Sequence, residues 1–278
     1  MEPLNAVLLN PVRRVGANME RWRASGGGEA LSLATNPSTL REMVKDAGLH
    51  GLGGSGFPVW KKWDAVAVES GKPDKYLVVN GNEDEPGTLK DRMLLEETPH
   101  QVIEGALIAA RAVGANRIVF YINPDLGRSL ASMRMALDQW GQGKGARLEL
   151  YESHNSSLAP FPSLALTPGS GHYIGGEETA VMEWIEGRFP FPRGKPPYPA
   201  QSGVLGCPTL INNVETVAHL PDIVLRGAEW FKAQGRGQGT GTKLYSLSGD
   251  VLHPGVYELP MGTSLRELSP TENHGGAY

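Results

Sequence analysis

Strand-like runs alternate with helical segments between residues 75 and 151, and this alternation restricts the fold class more than anything else in the sequence. KYLVVN (75–80), RIVFYI (117–122) and ARLELY (146–151) have the length and the β-branched or aromatic content of strands. Apolar residues at helical spacing occupy the intervals, at 98–114 and at about 126–140. Strands that alternate with helices predict an α/β fold with a mainly parallel sheet.

Capping residues mark the helix boundaries in the first half of the chain. Thr98, followed by a proline, suits the start of the helix between the first two strands, and Gly114 suits its end. An earlier helix has apolar residues at 40, 43, 44 and 47. We expect it to start at a Thr39–Glu42 capping box and to end at Gly48.

The second half of the chain contains three contrasting stretches after a proline-rich connection. GSGHYIGGEETAVMEWIEG (169–187) predicts a glycine turn that runs into a helix. FPFPRGKPPYPAQSG (189–203) has too many prolines for regular structure, and NNVETVAHLPDIVLRG (212–227) predicts a further helical region. From about residue 238 the pattern changes to short strands with turns, which is typical of a small β-rich domain.

Charge and hydropathy exclude several classes of protein. The formal net charge of −4 gives no electrostatic reason to expect a nucleic-acid partner. No apolar run approaches the length of a membrane span, and MEPLNAVLLNPVRR lacks the layout of a signal peptide. We therefore expect a cytoplasmic protein without direct membrane insertion.

Cys207 is the single cysteine of the 278 residues. It cannot form an internal disulfide, and it cannot supply the several thiolates of an iron–sulfur cluster. Because LGCPTL holds no histidine, we expect a small buried thiol rather than a nucleophile. The seven histidines show no metal-ligand spacing, so no metal site is expected.

HGLGGSGF contains the spacing G-x-G-x-x-G at Gly51, Gly53 and Gly56. A Rossmann phosphate turn with this spacing must follow a strand and open a helix, because the helix amino terminus holds the pyrophosphate. Here a predicted helix precedes the glycines and Phe57-Pro58 follows them. The context does not fit a Rossmann turn, and the spacing alone does not separate a phosphate loop from a structural turn.

Four further stretches decide the question: NGNEDEPGTLKDR (80–92), GGEET (175–179), RGKPPYPAQSG (193–203) and PTLINNVET (208–216). With the glycine loop, they follow the order found in the flavin- and NADH-binding subunit of respiratory complex I. The same subunit type occurs in NAD-linked formate dehydrogenases and NAD-reducing hydrogenases. The chain resembles this family from about residue 36 to its end, so the glycine loop looks like the family's flavin mononucleotide (FMN) loop.

The resemblance implies a domain organisation. Residues 37–237 would form a Rossmann-like FMN-binding domain, preceded by an arm at 1–36 and followed at 238–278 by the start of a β-grasp-like domain. Family members continue into a helical domain with a C-x-x-C-x-x-C cluster motif. We therefore expect a chain without the iron–sulfur domain, as a truncated form, a split gene product or a divergent member.

The resemblance also assigns the binding residues. FMN and NAD(H) are the implied cofactors, with Lys62 on the flavin phosphate, Tyr198 stacking on a nucleotide ring and Glu178 as the acidic residue nearest the hydride transfer. The cofactors themselves carry out that transfer, so no catalytic residue is required. The implied binding residues are Gly51, Gly53, Gly54, Gly56, Lys62, Asn80, Asn82, Glu83, Glu85, Gly176, Glu177, Glu178, Tyr198, Asn212, Asn213 and Thr216.

Each assignment has a simpler alternative when residue type alone is considered. Lys62 could be a solvated lysine, and Glu83 and Glu85 could form an acidic solvated turn. Glu177 and Glu178 stand at a predicted helix start, where carboxylates interact favourably with the helix dipole.

Departures from the family pattern weaken the case for NADH more than the case for FMN. His50 and Leu52 stand where the family has arginines, and Val59 and Trp60 replace a threonine–glycine pair. Losing an arginine removes charge-assisted contacts to a dinucleotide, and we expect Trp60 to narrow the NADH cleft. Further replacements are Asn82 for an aspartate, Asp84 for a glycine and Gly175 for a common cysteine.

The implied function is a flavoprotein subunit that accepts hydride from NADH, or reduces NAD+, and passes single electrons to an iron–sulfur protein subunit. Such a subunit would act within a larger complex, which could lie on the cytoplasmic face of a membrane. Two alternatives stay open: a catalytically silent scaffold, and a module that binds a phosphorylated ligand through the glycine loop alone.

Overall fold

The computed structural model describes residues 6–141 and 162–268. Its strands are β1 Tyr76–Gly81, β2 Arg117–Ile122, β3 Ser163–Pro168, β4 Thr209–Asn213, β5 Thr242–Leu247 and β6 Gly255–Pro260. Its helices are α1 Met19–Ala24, α2 Glu29–Leu33, α3 Pro37–Ala47, α4 Val59–Ala67, α5 Lys90–Glu97, α6 Pro99–Val113, α7 Gly127–Gly141, α8 Glu178–Ile185, α9 Val214–Ala218, α10 Leu220–Arg226, α11 Ala228–Ala233 and α12 Leu265–Leu268. Short 3-10 turns occupy Tyr173–Gly176 and Val204–Gly206.

Four parallel strands form the central sheet in the order β3-β2-β1-β4, which confirms the α/β prediction. The strand order reverses between β1 and β4, because the chain leaves β3 at one edge and returns on the far side of β1. In open α/β sheets, ligands bind outside the carboxyl ends of the strands at such a reversal. Asn80 and Asn213 are register partners at that point.

Alternating side chains cover the two faces of the sheet. Leu77, Val79 and Phe120 pack in the large core that also contains α6 and α9, whereas Val78 and Tyr121 face the smaller core beneath α8. These strand residues are apolar or aromatic, as expected for parallel strands covered on both faces. This packing on both faces fixes the position of the strands, and with it the position of Asn80 and Asn213 near their carboxyl ends.

The lead-in segment before α3 is part of the main core. Leu8 and Ala30 are fully buried in it, and Trp22 packs on His100 and Trp140. The antiparallel β5–β6 hairpin holds the same segment, because Glu258 accepts hydrogen bonds from the backbone amides of residues 7–9 at 2.8–3.1 Å.

Several sequence expectations hold and others need correction. β1, β2, α6 and α7 lie where the patterns predict them, and Gly48 and Gly114 end α3 and α6 in left-handed conformations. The cap of α3 is Asn36 rather than Thr39, because the side chain of Asn36 accepts from the amides of residues 38 and 39. Thr98 occupies the cap position of α6, but its hydroxyl donates back to the carbonyl of Leu94.

Two strands lie where the sequence patterns do not predict them. The described third strand is β3, which lies in the proline-rich connection, while the strand expected at 146–151 falls outside the described residues. The helical region expected from residue 212 begins at Val214, because residues 209–213 complete the sheet as β4.

Candidate functional site

The carboxyl ends of β1 and β4 are joined by asparagine side chains. The side-chain nitrogen of Asn80 donates to the carbonyl of Gly176 at 2.9 Å, and its side-chain oxygen accepts from the backbone amide of Asn82 at 3.1 Å. The Asn213 amide donates to the Asn80 carbonyl at 3.2 Å. These bonds bring the β1 loop, the GGEET turn and the end of β4 together at the point where the strand order reverses.

The glycine loop lies over this point, between α3 and α4. It is closed by a hydrogen bond from the Gly51 amide to the Phe57 carbonyl, at 2.9 Å, and it is tied to α9 by one from the Leu52 amide to the Thr216 hydroxyl, also at 2.9 Å. Gly54 and Gly56 have φ angles of 111° and 62°, which disfavour any other residue. No described atom lies within 4 Å of where their Cβ atoms would stand, so a ligand can approach the backbone there.

Two adjoining cavities lie beneath and beside the loop. The first cavity, of 780 Å³, is bounded by the glycine loop, α4, β4 and the proline-rich loop. The second cavity, of 480 Å³, is bounded by the β1 loop and the β5 strand. Gly53, Asn80, Gly176 and Asn213 line both cavities, so the two are contiguous. All the residues assigned from the resemblance line one or both, except Gly56 and the buried Thr216.

A chain of alternating charges crosses the wall of the first cavity. The Lys62 ammonium lies 2.8 Å from Glu178, which in turn lies 2.5 Å from Lys195, and Lys195 is 3.4 Å from Glu177. Burial would raise the pKa of Glu178, but hydrogen bonds from Lys195 and Lys62 outweigh it and hold the pKa below its ordinary value. Lys62 is therefore not a freely solvated lysine.

Lys195 lines neither cavity but is ion-paired with two residues that line the first one. The sequence interpretation missed it, although it lies within the quoted RGKPPYPAQSG motif. Burial would lower the pKa of Lys195, but its bonds to Glu178 and Glu177 raise it, so the side chain stays charged. The signal that could have found it is one of the two cations in a motif that the fold places beside GGEET; the other, Arg193, pairs with Glu183 and Glu186.

Two of the assigned glutamates cap helices. Glu83 is 7% exposed, and its carboxylate accepts from the amides of Asp91 and Arg92 at the start of α5. Burial raises the pKa of Glu83, and the nearby Asp91 carboxylate adds to this effect. Glu177 caps α8 in the same way, through the amides of residues 179 and 180. The capping alternative therefore applies to Glu177, whereas Glu83 is a buried helix cap and not part of a solvated turn; both still line a cavity.

The acidic turn after β1 is held by polar side chains rather than by solvent alone. Glu85 accepts a hydrogen bond from the hydroxyl of Tyr173, and Asp84 accepts from the amides of Asn82 and Asn123. Burial raises the pKa of Asp84 above its ordinary value. The side-chain oxygen of Asn82 is buried and has no hydrogen-bond partner among the described residues.

Asn212 and Thr216 of the INNVET motif differ in whether they keep a hydrogen-bonding group for a ligand. The Asn212 oxygen accepts from the Trp63 indole at 3.0 Å, which leaves its amide nitrogen to face the first cavity. Thr216 is committed to the glycine loop through Leu52.

Aromatic residues mark the outer part of the first cavity. Tyr198 is 57% exposed and lines it, together with Phe57. Trp60 does not, contrary to expectation: its ring lies 5.1 Å from the Lys45 ammonium and is absent from the lining of both cavities. Trp60 therefore points out of the cleft it was expected to narrow.

Cys207 stands two residues before β4 starts, whereas the cavities lie beyond the carboxyl end of that strand. It packs against the smaller core, and burial raises the pKa of its thiol, which suits packing rather than nucleophilic attack. Among residues 6–141 and 162–268, His, Cys, Asp and Glu side chains form no group that could hold a metal ion. No helix in the same residues is long and apolar enough to cross a membrane.

The sequence matches the model of the Nuo51 FMN-binding domain over residues 44–222. The chain belongs to this family. It is 43% identical to an NADH-quinone oxidoreductase subunit (designated F 2) of Rhizobium meliloti (strain 1021), over 94% of this chain and 61% of that protein. It is 39% identical to the corresponding NADH-quinone oxidoreductase subunit of Aquifex aeolicus (strain VF5), over 95% of this chain and 61% of that protein.

A solved structure superposes on most of the chain. The crystal structure of a NAD+-reducing [NiFe]-hydrogenase in the H2-reduced state matches with a TM-score of 0.79 and 36% identity, covering 92% of this chain and 43% of that one. The chain thus spans about three fifths of the length of the two curated relatives.

FMN fits the residues that the structure places around the cavities. The open backbone at Gly54, beside the second cavity, and the Lys62 ammonium, in the wall of the first, suit a phosphate. The side-chain nitrogen of Asn212 has no partner among the described residues and suits a polar ring or ribityl group. Each of the two cavities lies in the size range of pockets for small ligands and cofactors.

Proposed function

We propose that this chain binds FMN in the two contiguous cavities and exchanges hydride with NAD(H) there. The observation that carries the proposal is the reversal of strand order between β1 and β4, with the glycine loop above it and two joined cavities around it. The relatives, which are named as NADH-quinone oxidoreductase subunits, support the same activity.

Lys62 and the glycine loop would hold the flavin phosphate. Lys62 has three N–H donors and uses one on Glu178, so it can bind a phosphate without releasing that carboxylate. The loop backbone at Gly54 and Gly56 is reachable, and Thr216 and Asn213 support it from below. Asn212 would orient the flavin through its amide nitrogen.

NAD(H) would approach from the outer part of the first cavity. There the Tyr198 ring offers an apolar face, and Lys195 lies beside Glu178. When bound, FMN supplies the ring that accepts a hydride and releases electrons singly. The protein's part is to stack the two rings, to exclude water, and to hold Glu178 ionised through Lys62 and Lys195.

An iron–sulfur protein subunit would receive the electrons. The 278 residues contain one cysteine, which is too few for a cluster of the usual four-thiolate type. The relatives' names identify them as subunits, so the acceptor cluster would belong to a partner or to a further stretch of the gene. A cytoplasmic location, with attachment to a membrane through the complex, is part of the same proposal.

Comparing ligands that share only part of FMN tests the binding step. Titration of the ligand-free chain should show one equivalent of FMN bound, with riboflavin about 100-fold weaker, because riboflavin lacks the charge-assisted phosphate contacts. Glycerol phosphate should compete poorly. No FMN binding would indicate the silent scaffold, and equal competition by glycerol phosphate would indicate a phosphate module.

A further inference from the structure

The side-chain amide of Asn213 uses its full hydrogen-bonding capacity inside the protein. Its oxygen accepts from the Lys90 ammonium and from the Glu215 amide nitrogen, both at 3.0 Å. Its nitrogen donates to the Asp91 carboxylate at 2.6 Å and to the Asn80 carbonyl at 3.2 Å. Because an asparagine amide has two donors and two lone pairs, nothing is left for a ligand.

Lys90 and Asp91 form a buried ion pair beside this amide. Their charged atoms lie 2.7 Å apart, and their side chains are 11% and 5% exposed. A flipped amide would place its NH₂ group against the Lys90 ammonium and its oxygen against the Asp91 carboxylate. Both contacts would be repulsive in a poorly solvated site, so the ion pair permits one amide orientation.

Asn213 supports the glycine loop at Gly53. A Cβ atom at Gly53 would stand 3.2 Å from the Cβ of Asn213, so the loop backbone rests directly on this side chain. Asn213 also lines both cavities. A change in the Asn213 side chain would therefore shift the loop above it.

We propose that Lys90 and Asp91 are positioning residues, which fix the amide of Asn213 and through it the glycine loop that receives the flavin phosphate. The inference rests on the proposed function only for its effect on the cofactor. The effect on the loop is a property of the protein alone, so the two can fail separately.

The paired variant Lys90→Met/Asp91→Asn removes both charges and keeps both volumes close to the original. Glu215 also loses its cation in this variant, but burial raises its pKa to about 7 even beside Lys90, so measurements below that pH keep the carboxyl neutral. Lys90→Met alone would leave Asp91 facing the fully buried Glu215, which lies 3.2 Å from the Lys90 ammonium, without a cation between them. The matched control is Lys232→Met/Glu229→Gln, which removes an exposed ion pair on α11.

Hydrogen exchange of the ligand-free chain gives the first measurement. In the paired variant, amides in residues 50–58 should exchange about tenfold faster, as expected when a hydrogen-bonded support is lost, while those of α6 stay unchanged. The control pair should leave both segments unchanged. Unchanged exchange at 50–58 in a folded paired variant would overturn the proposal.

A double-mutant cycle with Asn213→Ala gives the second measurement. The paired variant should weaken FMN about tenfold in the original chain but less than about twofold in the Asn213→Ala chain, because the effect passes through Asn213. Additive losses in the two backgrounds would show a general destabilisation and contradict the proposal. If the paired variant does not fold, Asp91→Asn alone takes its place, and a loss that is equal with and without Asn213 contradicts the proposal equally.

Discussion

The carboxyl ends of the four parallel strands differ in polarity along one edge of the sheet. The last two positions of β1 and β4 hold asparagines at 80, 212 and 213, whereas β2 and β3 end in Ile122 and Pro168. The apolar pair is closed by a hydrogen bond from the Gly169 amide to the Ile122 carbonyl at 2.6 Å. The polar pair stands where the strand order reverses and opens onto both cavities. Within one sheet, topology decides where a ligand site can form, and the sequence places its polar strand ends there.

Reversing the charge of Lys62, in the wall of the first cavity, should reduce FMN affinity more than the other changes. Lys62→Glu replaces the proposed phosphate ligand with a carboxylate beside Glu178, so FMN affinity should fall by about 100-fold or more. Fluorescence titration measures this loss. Lys232→Glu, at an exposed position on α11, is the control and should bind FMN normally. Normal FMN retention by Lys62→Glu would remove Lys62 from the site.

Truncating an asparagine at the polar ends of β1 and β4 should weaken FMN binding more than truncating a side chain at the ends of β2 and β3. Asn80→Ala leaves the Gly176 carbonyl and the Asn82 amide without their partner, so FMN should bind about tenfold more weakly. Thr167→Ala, one residue before β3 ends, is the matched change at the apolar pair and should alter binding by less than about twofold. Equal losses of FMN affinity in the two variants would show that the ends of β1 and β4 matter no more for binding than the ends of β2 and β3.

Truncating Tyr198, in the outer wall of the first cavity, should weaken NADH binding and leave FMN binding unchanged. Tyr198→Ala removes a stacking surface worth roughly 1 kcal/mol, so the apparent NADH affinity should fall about tenfold or less. Phe191→Ala is the control, because Phe191 is an exposed aromatic of the same loop that does not line the cavity. A loss of FMN from Tyr198→Ala would place this ring against the flavin instead.

Glu215, two residues after the polar carboxyl end of β4, should make the free energy of unfolding depend on pH. Burial raises the pKa of Glu215 to about 7, and the Lys90 ammonium opposes the shift. The folded chain therefore holds a proton that the unfolded chain has released, so the free energy of unfolding should fall as pH rises from about 4.5 to 7.

Glu215→Gln should flatten that dependence in denaturant melts across this pH range. Asp138→Asn, an exposed change on α7, should leave the slope unchanged. A Glu215→Gln chain with the original slope would show that another group binds the proton.

The sequence predicts the elements that local chemistry determines. β1 and β2 are continuous apolar runs, and α6 has a proline at its start and a glycine at its end. β3 ends in a proline, and β4 has five residues of which two are asparagines, so neither has the composition of a buried parallel strand. Their place in the sheet is set by pairing with β2 and β1, which is a tertiary effect.

The motifs identify the residues around the cavities but not their hydrogen-bond partners. Glu83 and Glu177 are predicted to face a ligand, yet each accepts from the first turn of a helix. Asn213 meets Asp91 across 122 positions of sequence, and no local pattern reports that contact. Separation along the chain also explains why Lys195 was missed, because its role depends on Glu178 coming from another element.

Anaerobic titration of the FMN-loaded chain with NADH tests the central claim most directly. If the two cavities bring a nicotinamide against the flavin, the visible flavin absorbance should bleach with about one equivalent of NADH, because each hydride carries two electrons. The bleaching should be absent when oxidised NAD+ is added instead. A chain that binds FMN stoichiometrically but keeps its full flavin absorbance in excess NADH would contradict the account.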